Sequence, residues 1–236
     1  MSTQSIEKRE PLDPRVNSGP PEPPVSVLIV DDHPAVRAGV ERVLATEPDI
    51  TPVTTVATAR GALAEAQRLS PRIAIVDYHL PDRDGLSLTR QLKALPHPPA
   101  VLIYSAFADA RLTIGAIVAG ADGVADKKCP ADELCTVVRR IANGCSSLPV
   151  VPPEMMRAIA SELEPEDLPI LAMLVNRTPP AEIAGALNIT TQWLETRRWA
   201  ILQRVAERPR RRLRAAAGTT VRPRGTALLR ADPARS

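Results

Sequence analysis

Five short apolar runs alternate along the chain with segments whose apolar residues recur every three or four positions. The runs fall at 25–30, 51–56, 72–77, 100–105 and 123–126. Several are rich in Val and Ile, as suits strands buried on both faces. Between and after them, Val36, Val40, Val43 and Leu44 share one helical face, as do Leu63 and Ala66, then Leu88, Leu92 and Leu95. Ile114, Ile117 and Val118 mark a fourth helix, and Leu134, Val137, Val138 and Ile141 a fifth. Alternation of this kind predicts βαβ units: an α/β fold with a doubly wound, five-stranded parallel sheet covered on both faces. Right-handed crossovers leave few topologies. The unit spans 25–144.

The texture then changes. Pro149, Pro152 and Pro153 mark a linker over 145–160. Residues 161–207 read as a small all-α domain. Leu168, Leu171 and Leu174 or Val175 share a face of its first helix, and Pro179-Pro180 opens the second. Asn188-Ile189-Thr190 reads as a tight turn with Thr190 as N-cap, followed by a longer helix. Helix, short turn, longer helix predicts a helix-turn-helix. Residues 1–24 hold six prolines and few apolar residues, which predicts a disordered leader. Residues 208–236, rich in Arg, Ala and Pro, predict a disordered basic tail.

Composition narrows the classes. Hydrophobic residues make up 44%, enough for real cores. No run reaches the ~18 apolar residues of a membrane-spanning helix, and the first 24 residues lack the apolar stretch of a secretory signal. Cys129, Cys135 and Cys145 are irregularly spaced, which argues against a disulfide framework or a zinc site. A reducing cytoplasm is the expected location. The net charge is only +3, yet residues 194–236 carry twelve arginines against Glu195, Glu207 and Asp232. An acidic body with a basic end suggests a polyanion contact, or a solvated tail.

The candidate chemistry lies at strand ends. Asp31 and Asp32 follow the first strand, Asp77 ends the third, Ser105 ends the fourth, and Lys127 follows the fifth. In an open parallel sheet, ligand sites form outside the carboxyl ends of the strands. Three carboxylates converging there need a compensating cation, and Mg²⁺ suits hard oxygen ligands. Carboxylates, a hydroxyl and an ammonium together are equipped to hold a phosphoryl group, with an Asp as nucleophile. A Mg²⁺-dependent hydrolase would need a separate acid/base pair and a substrate pocket, and neither is apparent. No enzymatic function is expected.

These motifs, Val30-Asp31-Asp32-His33-Pro34, Asp77-Tyr78-His79-Leu80-Pro81-Asp82-Arg83-Asp84-Gly85, Ser105-Ala106, and Ala119-Gly120-Ala121-Asp122-Gly123 ahead of Lys127, resemble a two-component response-regulator receiver of the NarL/FixJ subfamily, with its flavodoxin-like fold. The resemblance implies that Asp77 accepts phosphate from a sensor histidine kinase. It implies Asp32, Asp77 and the His79 backbone carbonyl as Mg²⁺ ligands, with Asp31 acting mainly through water. Ser105 and Lys127 would hold the phosphoryl group. Lys127 is preferred over Lys128 by its spacing from Gly123, and neither His33 nor the His79 ring is expected to bind metal. Val124 stands where the family usually has an aromatic, which predicts altered coupling of phosphate to the surface of the fourth and fifth helices.

Residues 163–205 resemble a LuxR-type DNA-binding domain through Glu182-Ile183-Ala184, Leu187-Asn188-Ile189-Thr190 and Leu194. The glycine usual before the second helix is Arg177 here, and the usual Val-Lys-x-His is Leu194-Glu195-Thr196-Arg197. At 100° per residue, Leu194, Arg198, Ile201 and Val205 form one face. The opposite face carries Gln192, Thr196, Trp199 and Gln203, with Glu195 on its flank. The DNA-contact candidates are therefore Gln192, Glu195, Thr196, Arg197, Trp199 and Arg204. Two functions remain in view: a phosphorylation-controlled transcription regulator that binds DNA, as a homodimer if it follows the family, or a receiver whose degenerate output domain works by protein–protein contact.

Overall fold

The computed structural model describes residues 23–217; most of the predicted leader and the end of the predicted tail lie outside this range. Strands β1 (Val25–Val30), β2 (Ile50–Val56), β3 (Ile73–Asp77), β4 (Ala100–Ser105) and β5 (Gly123–Asp126) form one sheet in the order β2-β1-β3-β4-β5. Every pairing is parallel. Helices α1 (Pro34–Ala45), α2 (Ala59–Leu69), α3 (Gly85–Lys93), α4 (Ala110–Ala119) and α5 (Ala131–Ala142) complete the doubly wound unit. Then come α6 (Pro153–Ala160), α7 (Asp167–Val175), α8 (Pro180–Ala186) and α9 (Thr191–Ala217).

Alternation along the strands builds two cores. Val25, Val27 and Ile29 of β1 join Val40 and Leu44 of α1 and Leu134, Val138 and Ile141 of α5 on one face. Leu28 and Val30 face the other way, toward α2, α3 and α4. That second core does not stop at the receiver-like unit. It runs on through Ile159, Ile170, Leu171, Leu174, Ile183, Leu194, Ile201, Leu202 and Val205.

The bridge between the units is α4, in which every residue from Leu112 to Ala119 is buried. A helix apolar all round must be covered on all sides, and here the sheet covers one flank and α9 another. A Cβ on Gly115 would stand 2.7 Å from Leu86 Cδ1, so the missing side chain lets α3 lie close, while Val205 and Leu202 of α9 sit at ordinary contact distance, 3.7 and 3.8 Å from the same point.

The structure departs from the sequence expectations in two places. The segment 145–160 contains α6, whose Ile159 is fully buried. Helix α9 continues past 207 through the arginine run to Ala217. Gly85 opens α3, and a Cβ there would lie 2.3 Å from the Asp77 carbonyl oxygen. Glycine thus lets the start of α3 sit directly on the strand that carries Asp77, with Gly85 N–H donating to the Tyr78 carbonyl at 2.8 Å.

Helix starts are capped by acids and hydroxyls. Asp84 accepts from Ser87 N–H at 2.8 Å, Asp109 from Leu112 N–H at 2.8 Å, and Thr190 from Trp193 N–H at 3.1 Å. Asp82 reaches from the loop after β3 to the start of α2, accepting from Ala59 N–H at 2.9 Å and Arg60 N–H at 3.0 Å. The chain after α5 returns to the sheet: Ser147 N–H donates to the Asp122 carbonyl at 2.9 Å and its own carbonyl accepts from Val124 N–H at 3.1 Å.

Candidate functional site

The sheet reverses direction of winding between β1 and β3, which opens a crevice at their carboxyl ends. Asp31 and Asp32 leave β1 there, Asp77 ends β3, Ser105 ends β4, and Lys127 follows β5. Asp31 is 2% exposed and Asp77 4%. Lys127 Nζ lies 2.6 Å from Asp31 Oδ2 and 3.0 Å from Asp77 Oδ1. Its backbone N–H donates to the Ser105 carbonyl at 2.8 Å, tying β5's exit to β4's end. Lys128 instead lines a cavity on the α5 side.

One ammonium faces three carboxylates, so the crevice is under-neutralised. Ligand atoms of Asp31, Asp32, His33 and Asp77 lie within 4.8 Å of one another. A hard cation with oxygen ligands fits that donor set. The His33 ring is exposed, with Nδ1 2.6 Å from Asp32 Oδ1, and its backbone N–H donates to Asp31 Oδ1 at 2.8 Å.

Burial pushes the Asp77 carboxyl above the ordinary carboxylate range. The Lys127 ammonium and the His79 N–H pull it down, and the Asp31 charge adds to the rise. Burial alone would lower the Lys127 pKa, but its bonds to Asp31 and Asp77 more than offset that and hold it above the usual lysine value. Lysine therefore stays charged while the aspartate beside it is poorly solvated.

Two neighbours escaped the sequence reading. Tyr104, one residue before Ser105, donates its phenol to the Lys127 carbonyl at 3.3 Å. Burial, with the charges of Cys129, Asp31 and Asp126, pushes that phenol up to about 12. Phe107 N–H donates to Ser105 Oγ at 3.2 Å, while the Phe107 ring is 75% exposed. In a chain with only 2% aromatics, an aromatic flanking the strand-end serine on either side was the available signal. Val124, inward-facing on β5, lines the cavity of about 590 Å³ with Ala108, Ala125 and Cys129.

The DNA-contact candidates are placed less openly than the helical wheel suggested. Gln192, Thr196 and Gln203 are exposed. Trp199 is not: it is half-buried under the Arg90 guanidinium of α3, 4.8 Å from its ring centre. Arg197 is held by Asp167, whose carboxylate is fully buried, at 2.7 Å and by Glu166 at 2.8 Å. Arg204 pairs with Glu164 at 2.7 Å, and Glu195 with Arg198. Arg198, which shares the face of Leu194, Ile201 and Val205, turns toward the receiver unit. Its Nε and Nη2 donate to the Val118 carbonyl at 3.2 and 2.8 Å. Arg111 of α4 answers from the other side, donating to the Val205 carbonyl at 3.1 Å and pairing with Glu162 at 2.8 Å. A wheel drawn for one helix cannot show that a second unit covers the flank carrying Arg198 and Trp199.

Comparison with known proteins agrees with this geometry. Residues 27–139 match the response regulator receiver domain family. The response regulator protein VraR of Staphylococcus aureus is 31% identical over 182 residues, which cover 73% of this chain and 86% of VraR. The transcriptional regulatory protein UhpA of Salmonella typhimurium is 29% identical over 182 residues, 77% of this chain and 91% of UhpA. Among solved structures, a LuxR-family two-component response regulator from Aurantimonas sp. SI85-9A1 is 27% identical with a TM-score of 0.51, covering 59% of this chain and 97% of that one. The receiver domain of NarL from Mycobacterium tuberculosis is 29% identical with a TM-score of 0.50, covering 52% of this chain and 98% of that domain.

Proposed function

The chain belongs to the two-component response-regulator family, and on that premise we propose that it is a transcription regulator switched by phosphorylation of Asp77. The observation that carries this reading is the Lys127 ammonium set between Asp31 and Asp77 at the crevice of the sheet. An Asp77 carboxylate oxygen forms the new bond to phosphorus as the phosphorus–nitrogen bond of a sensor kinase's phosphohistidine breaks. Lys127 pairs with a phosphoryl oxygen, and Ser105 Oγ, which holds Phe107 N–H before transfer, turns its hydroxyl to another. Asp31, Asp32 and Asp77 carboxylates with the His79 carbonyl would hold Mg²⁺, which neutralises charge on the transferring group. The fitting donor set supports this assignment.

DNA is the proposed target of α9, with Gln192, Thr196 and Gln203 presented outward and the basic C-terminal end supplying phosphate contacts. Trp199 and Arg198 face the receiver unit, so full engagement needs α9 to separate from α4. A specific observation also favours the second reading, output by protein–protein contact: Arg197, Arg204 and Glu195 are all committed to ion pairs. A gel-shift assay with phosphorylated protein separates the two readings. Intact-mass analysis after incubation with acetyl phosphate tests the chemistry. A phosphate adduct that requires Mg²⁺ and is absent from Asp77→Asn is the expected result; equal labelling of that variant overturns the assignment.

A further inference from the structure

Arg177 lies in the α7–α8 loop with φ 63°, a backbone region that favours glycine. A large side chain kept in such a conformation points to a use for it. Its guanidinium reaches across to the chain that follows α5 and donates to Ser146 Oγ. Arg140, on α5, donates to the Ser146 carbonyl at 3.3 Å. Two guanidiniums from different units thus converge on one exposed serine. Neither has a carboxylate within ion-pair distance among the described residues, unlike Arg111, Arg139, Arg197, Arg198 and Arg204. Arg177 feels the charge of Asp122, but that carboxylate is engaged by Lys93 Nζ at 2.6 Å and Val101 N–H at 2.7 Å. Burial pushes the Arg177 pKa down, the mark of a cation short of compensation.

The place is firmly built. Ser146 Oγ donates to the Asp122 carbonyl at 3.3 Å, and Ser147 is bonded on both sides to the end of the sheet. Arg140, Ser146, Ser147 and Lys128 line the adjoining cavity, together with Glu133 and Asp126.

We infer that Arg140, Arg177 and Ser146 form a binding site for a phosphate-class oxyanion at the seam between the receiver unit and the C-terminal helices. Guanidinium forks match phosphate oxygens in pairs. The group has two sources: free phosphate, or a phosphoryl carried on Ser146. In the second case a protein kinase moves the terminal phosphoryl of ATP to Ser146 Oγ; the bond to ADP breaks, the Oγ–P bond forms, and the hydroxyl proton leaves to a base. In either case the anion ties Arg177 of one unit to Arg140 of the other and favours the closed arrangement.

The test is thermal unfolding of the full chain without Mg²⁺, in sodium phosphate and in sodium chloride of equal ionic strength. The comparison protein carries Arg140→Gln and Arg177→Gly, the latter at ease with its φ and both remote from Asp77. At phosphate about tenfold over Kd, the unaltered chain should gain about 3–5 °C more than the variant. A second arm installs phosphoserine at 146 in both backgrounds and expects a rise in Tm only where the arginines remain. A gain in the first arm assigns free phosphate, and a gain in the second alone assigns modification. Equal gains in the first arm, the general effect of an excluded salt, with no arginine-dependent gain in the second, overturn the site.

Discussion

At single residues, the acidic crevice was far more legible than its supports. Acids at the ends of buried strands cannot be explained by packing, so Asp31, Asp32 and Asp77 stood out, and the structure brings all three together with Lys127. Asp82 did not stand out, because capping a helix 22 residues earlier in the chain leaves no local pattern. A little burial pushes its carboxyl up, but the N–H groups of Ala59 and Arg60 outweigh this and hold it below the usual range. Its contribution to stability is therefore present above the ordinary Asp pKa of ~3.9 and is lost as pH falls through the lower, folded value. Asp82→Ala should cost about 1 kcal/mol at neutral pH, the usual worth of an N-cap. The gap between the two urea-unfolding curves should close on acidification below pH ~4, and a gap unchanged with pH would show that the charge is not what caps α2.

Among the elements, the five strands fell within a residue or so of their expected runs, because each is a short, mostly apolar or β-branched stretch set off from the helical segments around it. What stayed hidden was the company kept by α4 and α9. The all-round apolar character of α4 is visible in Leu112, Ile114, Ile117 and Val118, yet nothing in the sequence says which element covers the face turned from the sheet. The flank of α9 has no such signal, since an arginine beside the core face and a tryptophan beside the polar face, Arg198 and Trp199, do not announce Val118 and Arg90 as their neighbours. Arg111 tests this contact without touching the outward residues of α9. Arg111→Ala removes a charged bond to the Val205 carbonyl and the partner of Glu162, together worth about 2 kcal/mol. The expected readout is Trp199 emission shifted to the red and faster amide exchange in α4. Spectra and exchange like those of the unaltered chain would show that Arg111 does not hold the units together.

For the molecule as a whole, closure and binding compete. If α9 binds DNA only when free of α4, the apparent affinity is the intrinsic one scaled by the open fraction. Weakening the contact by about 2 kcal/mol then strengthens unphosphorylated binding by up to ~30-fold. With Arg197 and Arg204 paired internally, phosphate contacts fall to the arginines after 207. If about six of these engage duplex DNA, log K against log salt has a slope near −5. Truncation after Glu207 should flatten that slope and weaken binding to all sequences alike. A truncated protein that still prefers one site by more than ~10³ over random DNA would show that α9 itself reads bases.

The length of α9 adds a mechanical consequence. Its 27 residues extend about 40 Å at 1.5 Å per residue, and it rests on Gly115 through Leu202 and Val205, near its middle. It is a beam on a fulcrum. A tilt of about 10° there carries each end roughly 3–4 Å, in opposite directions, on a beam of that length. The end bearing Gln192 and Thr196 cannot rise from the receiver unit without the arginine-rich end dipping, so the two ends cannot be repositioned independently while the helix stays whole.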